Sequence, residues 1–240
     1  FAESAAVLAA EGLDLGLALS LVDHVMLCAY PLKKFGSQAL KERFLPRLCR
    51  GGLVGAAAIS EPATGGNPSR MRTTAQRKDG GYVLKGEKGP VTNAPVADVF
   101  LVIASTDLQA GKEGLSAFLV EKEEEVTVDR IELDFLPTSP HGIVSFENIW
   151  VPPDHMVGEE GWGHERISRS VFLWERAVII PVVLSLMERW HHLVVSGYNP
   201  TDIPPDTRVL LAQRKVELTA YNVLARHLLK LTFDSLEAGR

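Results

Sequence analysis

The sequence predicts an α+β fold in which N-terminal helices and a C-terminal antiparallel helical bundle flank a central antiparallel β-barrel or sandwich. Three observations support this. Apolar residues recur with a helical period at both ends of the chain, they alternate with polar residues in the middle, and turn residues separate the alternating segments. Strands joined by turns, without long helices between them, favour antiparallel pairing. We expect domains at 1–52, 53–155 and 156–240.

The first segment predicts helices. It is rich in Ala and Leu, and Gly36 and Ser37 interrupt the pattern as a helix C-cap followed by the N-cap of the next helix. Pro46 should lie near the end of that next helix. The apolar positions spaced three and four apart are Leu15, Leu19, Val22, Val25 and Met26.

The middle segment predicts strands. The turn residues Asp79 and Gly80 introduce an alternating segment at 81–86. Val, Phe, Leu and Ile dominate further short runs between turns, which is typical of buried strands. These runs lie at 99–103, 116–120 and 143–146.

The last segment predicts two long helices, Ser168 to about Val195 and Thr207 to Leu236. The linker between them, at 196–205, contains one Gly and several Pro residues, which are poorly compatible with a continuing helix. Pro181 lies inside the first of these helices and is expected to kink it.

Composition excludes some classes of protein. The chain has 240 residues, 46% of them hydrophobic, and a net charge of −5 at pH 7, which argues against binding to nucleic acid. Cys28 and Cys49 have neither a disulfide framework nor metal-ligand spacing, so we expect two buried thiols in a reducing compartment. The apolar run Ala177–Met187 is too short to span a membrane. These features favour a cytoplasmic location, or the mitochondrial matrix in a eukaryote.

Four motifs follow one another along the chain. Phe35–Pro46 contains F-G-S-Q and K-E-R-F-L-P, and Ile59–Gly66 reads I-S-E-P-A-T-G-G. Gly86–Asp98 contains G-E-K, V-T-N-A and A-D, and Phe146–Pro152 reads F-E-N-I-W-V-P. In this order and spacing they resemble the acyl-CoA dehydrogenase family of flavoproteins. That resemblance covers nearly the whole chain and implies the same helix–β–helix fold.

The resemblance also implies a reaction. Family members remove two hydrogens across the Cα–Cβ bond of an acyl-CoA thioester: a carboxylate takes the α-proton, and the N5 atom of FAD takes the β-hydrogen as hydride. In the isovaleryl and long-chain branches this base precedes an Arg on the first long helix of the C-terminal domain. Glu175, followed by Arg176, matches that position. The alternative is that these two residues are an ordinary helical charge pair.

Flavin contacts are implied in the same way. Ser60 and Thr92 match positions that bond the edge of the isoalloxazine ring, and Ile59 and Val91 match neighbours that pack against it. The alternative is that Ser60 and Thr92 are plain strand hydroxyls. Two further cofactor-binding positions carry unusual residues: Gly66 stands where the family has Ser, and Pro90 stands where it has Trp.

These departures leave two functions open. One is an active FAD-dependent dehydrogenase that uses an electron-transfer flavoprotein as acceptor and forms a homo-dimer or tetramer. The other is a flavin-poor subunit that acts as structural partner of a paralogue. In the family an Arg in the stretch that corresponds to 194–202 reaches the flavin pyrophosphate. This chain has no Arg or Lys there, which favours weaker flavin binding. An apolar stripe on the last helix suits either an oligomer interface or an intrachain core: Leu224, Leu228 and Leu231.

Other polar clusters predict no chemistry. His191 and His192 are adjacent on a helix, so they face different directions and cannot easily share a metal. The glycine-rich stretch 158–163 has two carboxylates and no Lys, which indicates a turn into the long helix. His141 follows Pro140 in a predicted loop, where a ligand role is not expected but can be tested.

Overall fold

The chain packs as two compact units. A computed structural model describes residues 1–123, 125–199 and 201–237. The helical unit consists of Phe1–Val22 together with the chain from Leu173 onward, and the sheet unit is Asp23–Phe172. The α-helices of the described residues are, in chain order, α1 (Ala2–Gly12), α2 (Leu15–Val22), α3 (Tyr30–Phe35), α4 (Gln38–Cys49), α5 (Arg169–Ser196) and α6 (Pro205–Glu237). The helices predicted at both ends of the chain are therefore confirmed.

The start of α4 shows why the chain breaks where the sequence predicts. The Ser37 hydroxyl accepts a hydrogen bond from the Leu40 amide at 3.2 Å, so the N-cap prediction is confirmed. Gly36 donates its amide to the Leu32 carbonyl, and a Cβ on Gly36 would lie 2.5 Å from that oxygen. A larger residue would therefore disrupt this cap. Pro46 lies in the last turns of α4, as expected.

In the helical unit, α5 and α6 form an antiparallel pair. Trp174 near the start of α5 makes an edge-on ring contact with Phe233 near the end of α6, at 5.9 Å between centroids. Towards the end of α5, the His191 imidazole lies 2.8 Å from the Leu211 carbonyl near the start of α6. The predicted antiparallel pairing is confirmed, and α5 continues through Pro181.

Most apolar side chains of α6 are not in a core. Leu224, Leu228 and Leu231 are each more than half exposed, so they do not form an intrachain core within the described residues. The buried α6 side chains are instead Leu218 and Ala225. Helical spacing alone could not distinguish the two faces, because both carry leucines.

The sheet unit contains a single seven-stranded sheet. Its strands run in the order β1-β4-β2-β3-β7-β6, and β5 pairs with β4. They are β1 (Gly55–Ala58), β2 (Thr74–Lys78), β3 (Gly81–Thr92), β4 (Val99–Ser105), β5 (Leu115–Glu121), β6 (Val126–Ile131) and β7 (His141–Val151). The four predicted strands are confirmed as parts of β3, β4, β5 and β7, whereas β1, β2 and β6 escaped prediction.

The sheet is mixed rather than purely antiparallel, which corrects one aspect of the predicted fold class. Strand β1 pairs parallel to β4 over its whole length, and β2 meets β4 in parallel at one residue pair. The chain between β1 and β4 contains the β2–β3 hairpin, so β4 returns to β1 through a long connection and in the same direction. The remaining pairs are antiparallel.

Local chemistry explains the hairpin and the core. Asp79 and Gly80 both have positive φ, 53° and 77°, as a two-residue type I′ turn requires, and the predicted turn is confirmed.

Aromatic rings from facing strands meet inside the sheet. The pairs are Tyr82 with Phe118, at 4.9 Å between centroids, and Phe100 with Phe146, at 6.3 Å.

Two helical stretches are long and apolar enough to cross a membrane by length and composition: Leu15–Phe35 and Gly163–Ser196. The second contains the run Ala177–Met187, predicted to be too short to span a membrane, and extends well beyond it. Half of the most apolar part of the first stretch and 39% of the most apolar part of the second are buried within the protein. A core helix passes the same test, so these stretches are weak evidence for a span.

Candidate functional site

The loop after β1 is held by one buried carboxylate. Glu61 is only 4% exposed, and its two carboxylate oxygens accept the amides of Arg72 and Thr73 at 2.9 and 2.8 Å. They also accept the Thr64 hydroxyl at 3.1 Å. The Glu61 side chain therefore closes the loop between residues 61 and 73.

A buried lysine completes this arrangement. The ammonium of Lys88, on β3, is fully buried and lies 3.2 Å from Glu61 Oε1 and 3.0 Å from the Ile59 carbonyl. Burial raises the pKa of Glu61, but the charge of Lys88 and hydrogen bonds from Thr73 and Arg72 outweigh it and lower that pKa to about 2. Burial lowers the pKa of Lys88 to about 8 against the charge of Glu61, so both groups are charged at neutral pH.

Because of this carboxylate, the unfolding free energy depends on pH. The Glu61 pKa falls from 4.5 to about 2 on folding, so its contribution is present above pH 4.5 and is lost as the pH falls towards about 2. The full shift corresponds to about 3 kcal/mol. We expect the difference in unfolding free energy between the natural chain and Glu61→Gln, measured by urea titration, to shrink from about pH 6 to about pH 3. A Glu147→Gln control, on an exposed carboxylate, should change the unfolding free energy by less than about 1 kcal/mol. A difference for Glu61→Gln that does not depend on pH would contradict the assignment.

The ion pair places Ser60 beside the last part of β3. Ser60 lies between the Ile59 carbonyl and Glu61, and its own carbonyl accepts the amide of Gly89 at 2.8 Å. A Cβ built on Gly66 would lie 3.6 Å from the Ser60 hydroxyl oxygen, an ordinary contact distance. Three residues expected to contact flavin, Ile59, Ser60 and Gly66, are thus close together. The Ser60 hydroxyl is half-buried and has no hydrogen-bond partner among the residues that the structure describes.

The other three expected contacts lie in the last part of β3. The register between β3 and β7 shifts between Lys88 and Val91, so this part of β3 is irregular. Pro90 is exposed and Val91 is buried, while Thr92 is half-buried. Because Gly89 bonds Ser60, the sheet unit brings Pro90 and its neighbours next to the Ser60 loop.

A histidine lies behind Thr92. His141 is directly opposite Thr92 in the β3–β7 register, and its Nε2 is 3.1 Å from the Thr92 hydroxyl. Its Nδ1 is 2.7 Å from the Ser139 carbonyl. His141 is 6% exposed and begins a strand rather than lying in a loop. Sequence reasoning missed this contact because the two residues are 49 positions apart.

The expected catalytic carboxylate belongs to the other unit. Glu175 lies on α5 in the helical unit and is half-buried, whereas the six expected flavin contacts lie in the sheet unit. Burial raises the pKa of Glu175, and the charge of Arg176 opposes the shift. A carboxylate with a raised pKa is better matched to taking a proton from carbon than an exposed one.

Asn67, which follows Gly66, has a local role. Asn67 accepts the Ser69 amide at 3.0 Å through its side chain and so caps a short turn. The stretch 194–202 begins in the end of α5, and Pro200 within it lies outside the described residues.

The prediction that both cysteines are buried is wrong for Cys49. Cys28 is buried, but Cys49 ends α4 on its exposed side.

The described residues contain no group of three or more His, Cys, Asp or Glu side chains placed to hold a metal ion. The sheet unit has a separate cleft of about 450 Å³ on the opposite part of β7. Arg43 in this cleft is paired with Glu121 at 2.5 Å and lies 3.2 Å from His155, so its charge is already engaged. The half-exposed ring of Trp150 also faces the cleft.

Comparison with known families gives two matches. Residues 1–52 match the model described as acyl-CoA dehydrogenase, N-terminal domain. Residues 56–149 match the model described as acyl-CoA dehydrogenase, middle domain. The second match contains all six residues expected to contact flavin, and Glu175 lies beyond it.

Individual relatives agree with these matches. The L-prolyl-[peptidyl-carrier protein] dehydrogenase of a Serratia species is 39% identical over 168 residues, which are 69% of this chain and 43% of that protein. The mitochondrial isovaleryl-CoA dehydrogenase of Oryza sativa subsp. japonica is 37% identical over 172 residues, 71% of this chain and 42% of that protein. The solved structure of PigA with FAD and proline has 30% identity and a TM-score of 0.86, covering 95% of this chain and 60% of that one. The chain spans less than half the length of the two sequence relatives.

Proposed function

Because the chain belongs to the acyl-CoA dehydrogenase family, we propose that it acts as an FAD-dependent oxidoreductase that introduces an α,β double bond into an acyl thioester. The observation that carries this proposal is the half-buried hydroxyl of Ser60, which lies beside Gly66 and the Pro90–Thr92 segment. This hydroxyl has no hydrogen-bond partner in the part of the chain that the structure describes. A free hydroxyl next to an irregular strand end is suited to bonding a flat polar ring. The domain boundaries near residues 52 and 155 remain a prediction.

The residues present fit a flavin. Ser60 and Thr92 would bond the polar edge of the ring, and the buried side chains of Ile59 and Val91 would support it. Gly66 places no side chain beside the Ser60 hydroxyl, and exposed Pro90 offers a flat apolar surface. When bound, FAD would supply the acceptor for the hydride that leaves the β-carbon of the substrate.

Glu175 is the proposed base. Its carboxylate would take the α-proton of the thioester, and its raised pKa supports this role. The thioester oxygen gains negative charge as the proton leaves, so hydrogen-bond donors directed at it would stabilise the transition state. The side chain of Glu175 makes no ion pair within 4.0 Å among the described residues, which leaves it available to a substrate.

The acyl carrier distinguishes two substrates. The Serratia relative acts on a prolyl group held by a peptidyl-carrier protein, and the rice relative acts on isovaleryl-CoA. Both substrates are thioesters with an acidic α-proton. Of the two, we propose an acyl-CoA as the substrate. We also propose an electron-transfer flavoprotein as the electron acceptor and a homo-dimer or tetramer as the assembly. Relatives occur in bacteria and in mitochondria, which allows a cytoplasmic or matrix location.

A second candidate is a flavin-poor subunit that serves as structural partner of a paralogue. Pro90 in place of an aromatic residue, and Gly66 in place of a hydroxyl residue, favour it, since both remove contacts to the ring. Under this alternative the chain would bind a paralogue tightly and take up little FAD.

One experiment separates the two. The purified chain is dialysed with FAD, desalted, and its visible spectrum compared with that of a Ser60→Ala/Thr92→Val double variant. We expect stoichiometric flavin in the natural chain, less in the variant, and anaerobic bleaching of the flavin band by isovaleryl-CoA or by a prolyl-carrier protein. A natural chain that retains no flavin would reject the dehydrogenase and support the flavin-poor subunit.

A further inference from the structure

The hydrogen bonds of His141 determine which of its nitrogens carries the proton. A carbonyl oxygen can only accept, so the 2.7 Å contact of Nδ1 with the Ser139 carbonyl requires a hydrogen on Nδ1. In a neutral imidazole Nε2 then carries a lone pair, and the 3.1 Å contact with Thr92 makes the threonine hydroxyl the donor.

This arrangement restricts what Thr92 offers to a ligand. A hydroxyl has one hydrogen, and here it points back to His141 within the sheet unit. The half-buried oxygen of Thr92 therefore presents only lone pairs on its other side, next to Val91. A ligand atom at this position is bonded when it is an N–H or O–H donor, and is not bonded when it is an acceptor.

We propose that His141 is a positioning residue that makes the Thr92 hydroxyl an acceptor for a ring N–H, and so favours the reduced form of a bound flavin. The proposal rests on the proposed function, which places a flavin edge at Thr92. Flavin N5 carries no hydrogen in the oxidised ring and one hydrogen after it has received the hydride. Where N5 is the edge atom that faces Thr92, a hydroxyl locked as acceptor therefore bonds the reduced ring and not the oxidised one.

The cross-strand pairing makes this device rigid. His141 and Thr92 are opposite each other in the β3–β7 ladder, so backbone hydrogen bonds fix their separation. The Ser139 carbonyl fixes the ring tautomer from the other side. A purely structural role for His141 would satisfy the same buried groups but would not act on the ratio of flavin affinities. That ratio therefore distinguishes the two roles.

The first test needs no flavin. In the free chain labelled with ¹⁵N, two-bond proton–nitrogen correlations report which ring nitrogen of His141 is protonated. We expect a hydrogen on Nδ1 and none on Nε2. A hydrogen on Nε2, alone or together with Nδ1, would reverse the Thr92 hydroxyl and overturn the proposal.

The second test measures FAD binding in both redox states. His141→Phe removes the acceptor behind Thr92, which frees the hydroxyl to donate to oxidised N5. We expect the ratio of oxidised to reduced dissociation constants to fall about tenfold, equivalent to a lowering of the two-electron midpoint potential by about 30 mV. His141→Gln, whose amide oxygen can still accept from Thr92, should stay near the natural value.

The matched control is His155→Phe. His155 is also a buried histidine of the sheet unit whose Nδ1 contacts a carbonyl, that of Leu119 at 3.0 Å, but it lies in the separate cleft. It should leave the affinity ratio unchanged. An unchanged ratio in a folded His141→Phe variant, or an equal change in His155→Phe, would overturn the proposal.

The two proposals fail separately. If the natural chain takes up no FAD, the proposed function and the flavin part of this inference fall together, while the tautomer experiment still decides the direction of the Thr92 hydroxyl. If FAD binds and the ratio does not depend on His141, only the present inference fails. A Thr92→Val variant, which keeps His141, covers the case in which His141→Phe does not fold, and it should lose the same preference for reduced FAD.

Discussion

Lys88→Met is expected to lower the unfolding free energy of the sheet unit by about 3–5 kcal/mol, because it leaves the carboxylate of Glu61 buried without its cation. Glu61 keeps its hydrogen bonds from the Arg72 and Thr73 amides, which should hold the loss to this range. Urea denaturation followed by far-UV circular dichroism measures the change.

The control is three residues away on the same strand. Lys85 pairs with Glu147 at 4.0 Å, and both side chains are more than 60% exposed. Lys85→Met should change the stability by less than about 1 kcal/mol. Equal losses from the two substitutions would show that the buried pair contributes no more to stability than the exposed pair. A Glu61→Gln/Lys88→Met double variant should recover part of the loss, since it removes both desolvated charges and keeps a side-chain oxygen that can accept an amide of the loop.

Glu175→Gln is expected to reduce the turnover of the FAD-loaded chain by roughly a hundredfold to ten-thousandfold, because an amide cannot accept the α-proton. Glutamine has nearly the same shape, so flavin content and substrate affinity should change little. The effect should therefore appear in kcat and not in KM, measured with an artificial electron acceptor.

Glu188→Gln on the same helix is the matched control. Glu188 lies 3.7 Å from Lys215, an ordinary ion pair of the helical unit. The Glu188→Gln variant should retain its turnover. Near-natural turnover in Glu175→Gln would assign the base elsewhere, and a loss of flavin in that variant would point to a structural role for Glu175.

Much of the fold could be predicted because it depends on local patterns. The Gly36–Ser37 break and the Asp79–Gly80 turn are short-range signals, and both were confirmed. Strand β1 is a run of glycine and alanine, G-A-A-A, with no alternation to detect. Its parallel pairing with β4 depends on contacts 44 positions apart, which no local pattern contains.

The candidate site shows the same division. The resemblance to a family predicted which residues lie near a flavin, and the structure places Ser60 beside Gly66 and the end of β3. It did not predict the pairing of Glu61 with Lys88, because the motif letters do not show which charges meet. His141 was predicted to be a loop residue, since the proline before it hides the start of β7.

The division of the chain into two units has a consequence for synthesis. The sheet unit is one continuous segment, Asp23–Phe172, whereas the helical unit joins Phe1–Val22 to the chain from Leu173 onward. A ribosome therefore adds every residue of the sheet unit before it begins the second part of the helical unit. The sheet can fold while the chain is still growing, and α1 and α2 must wait for α5 and α6 to emerge.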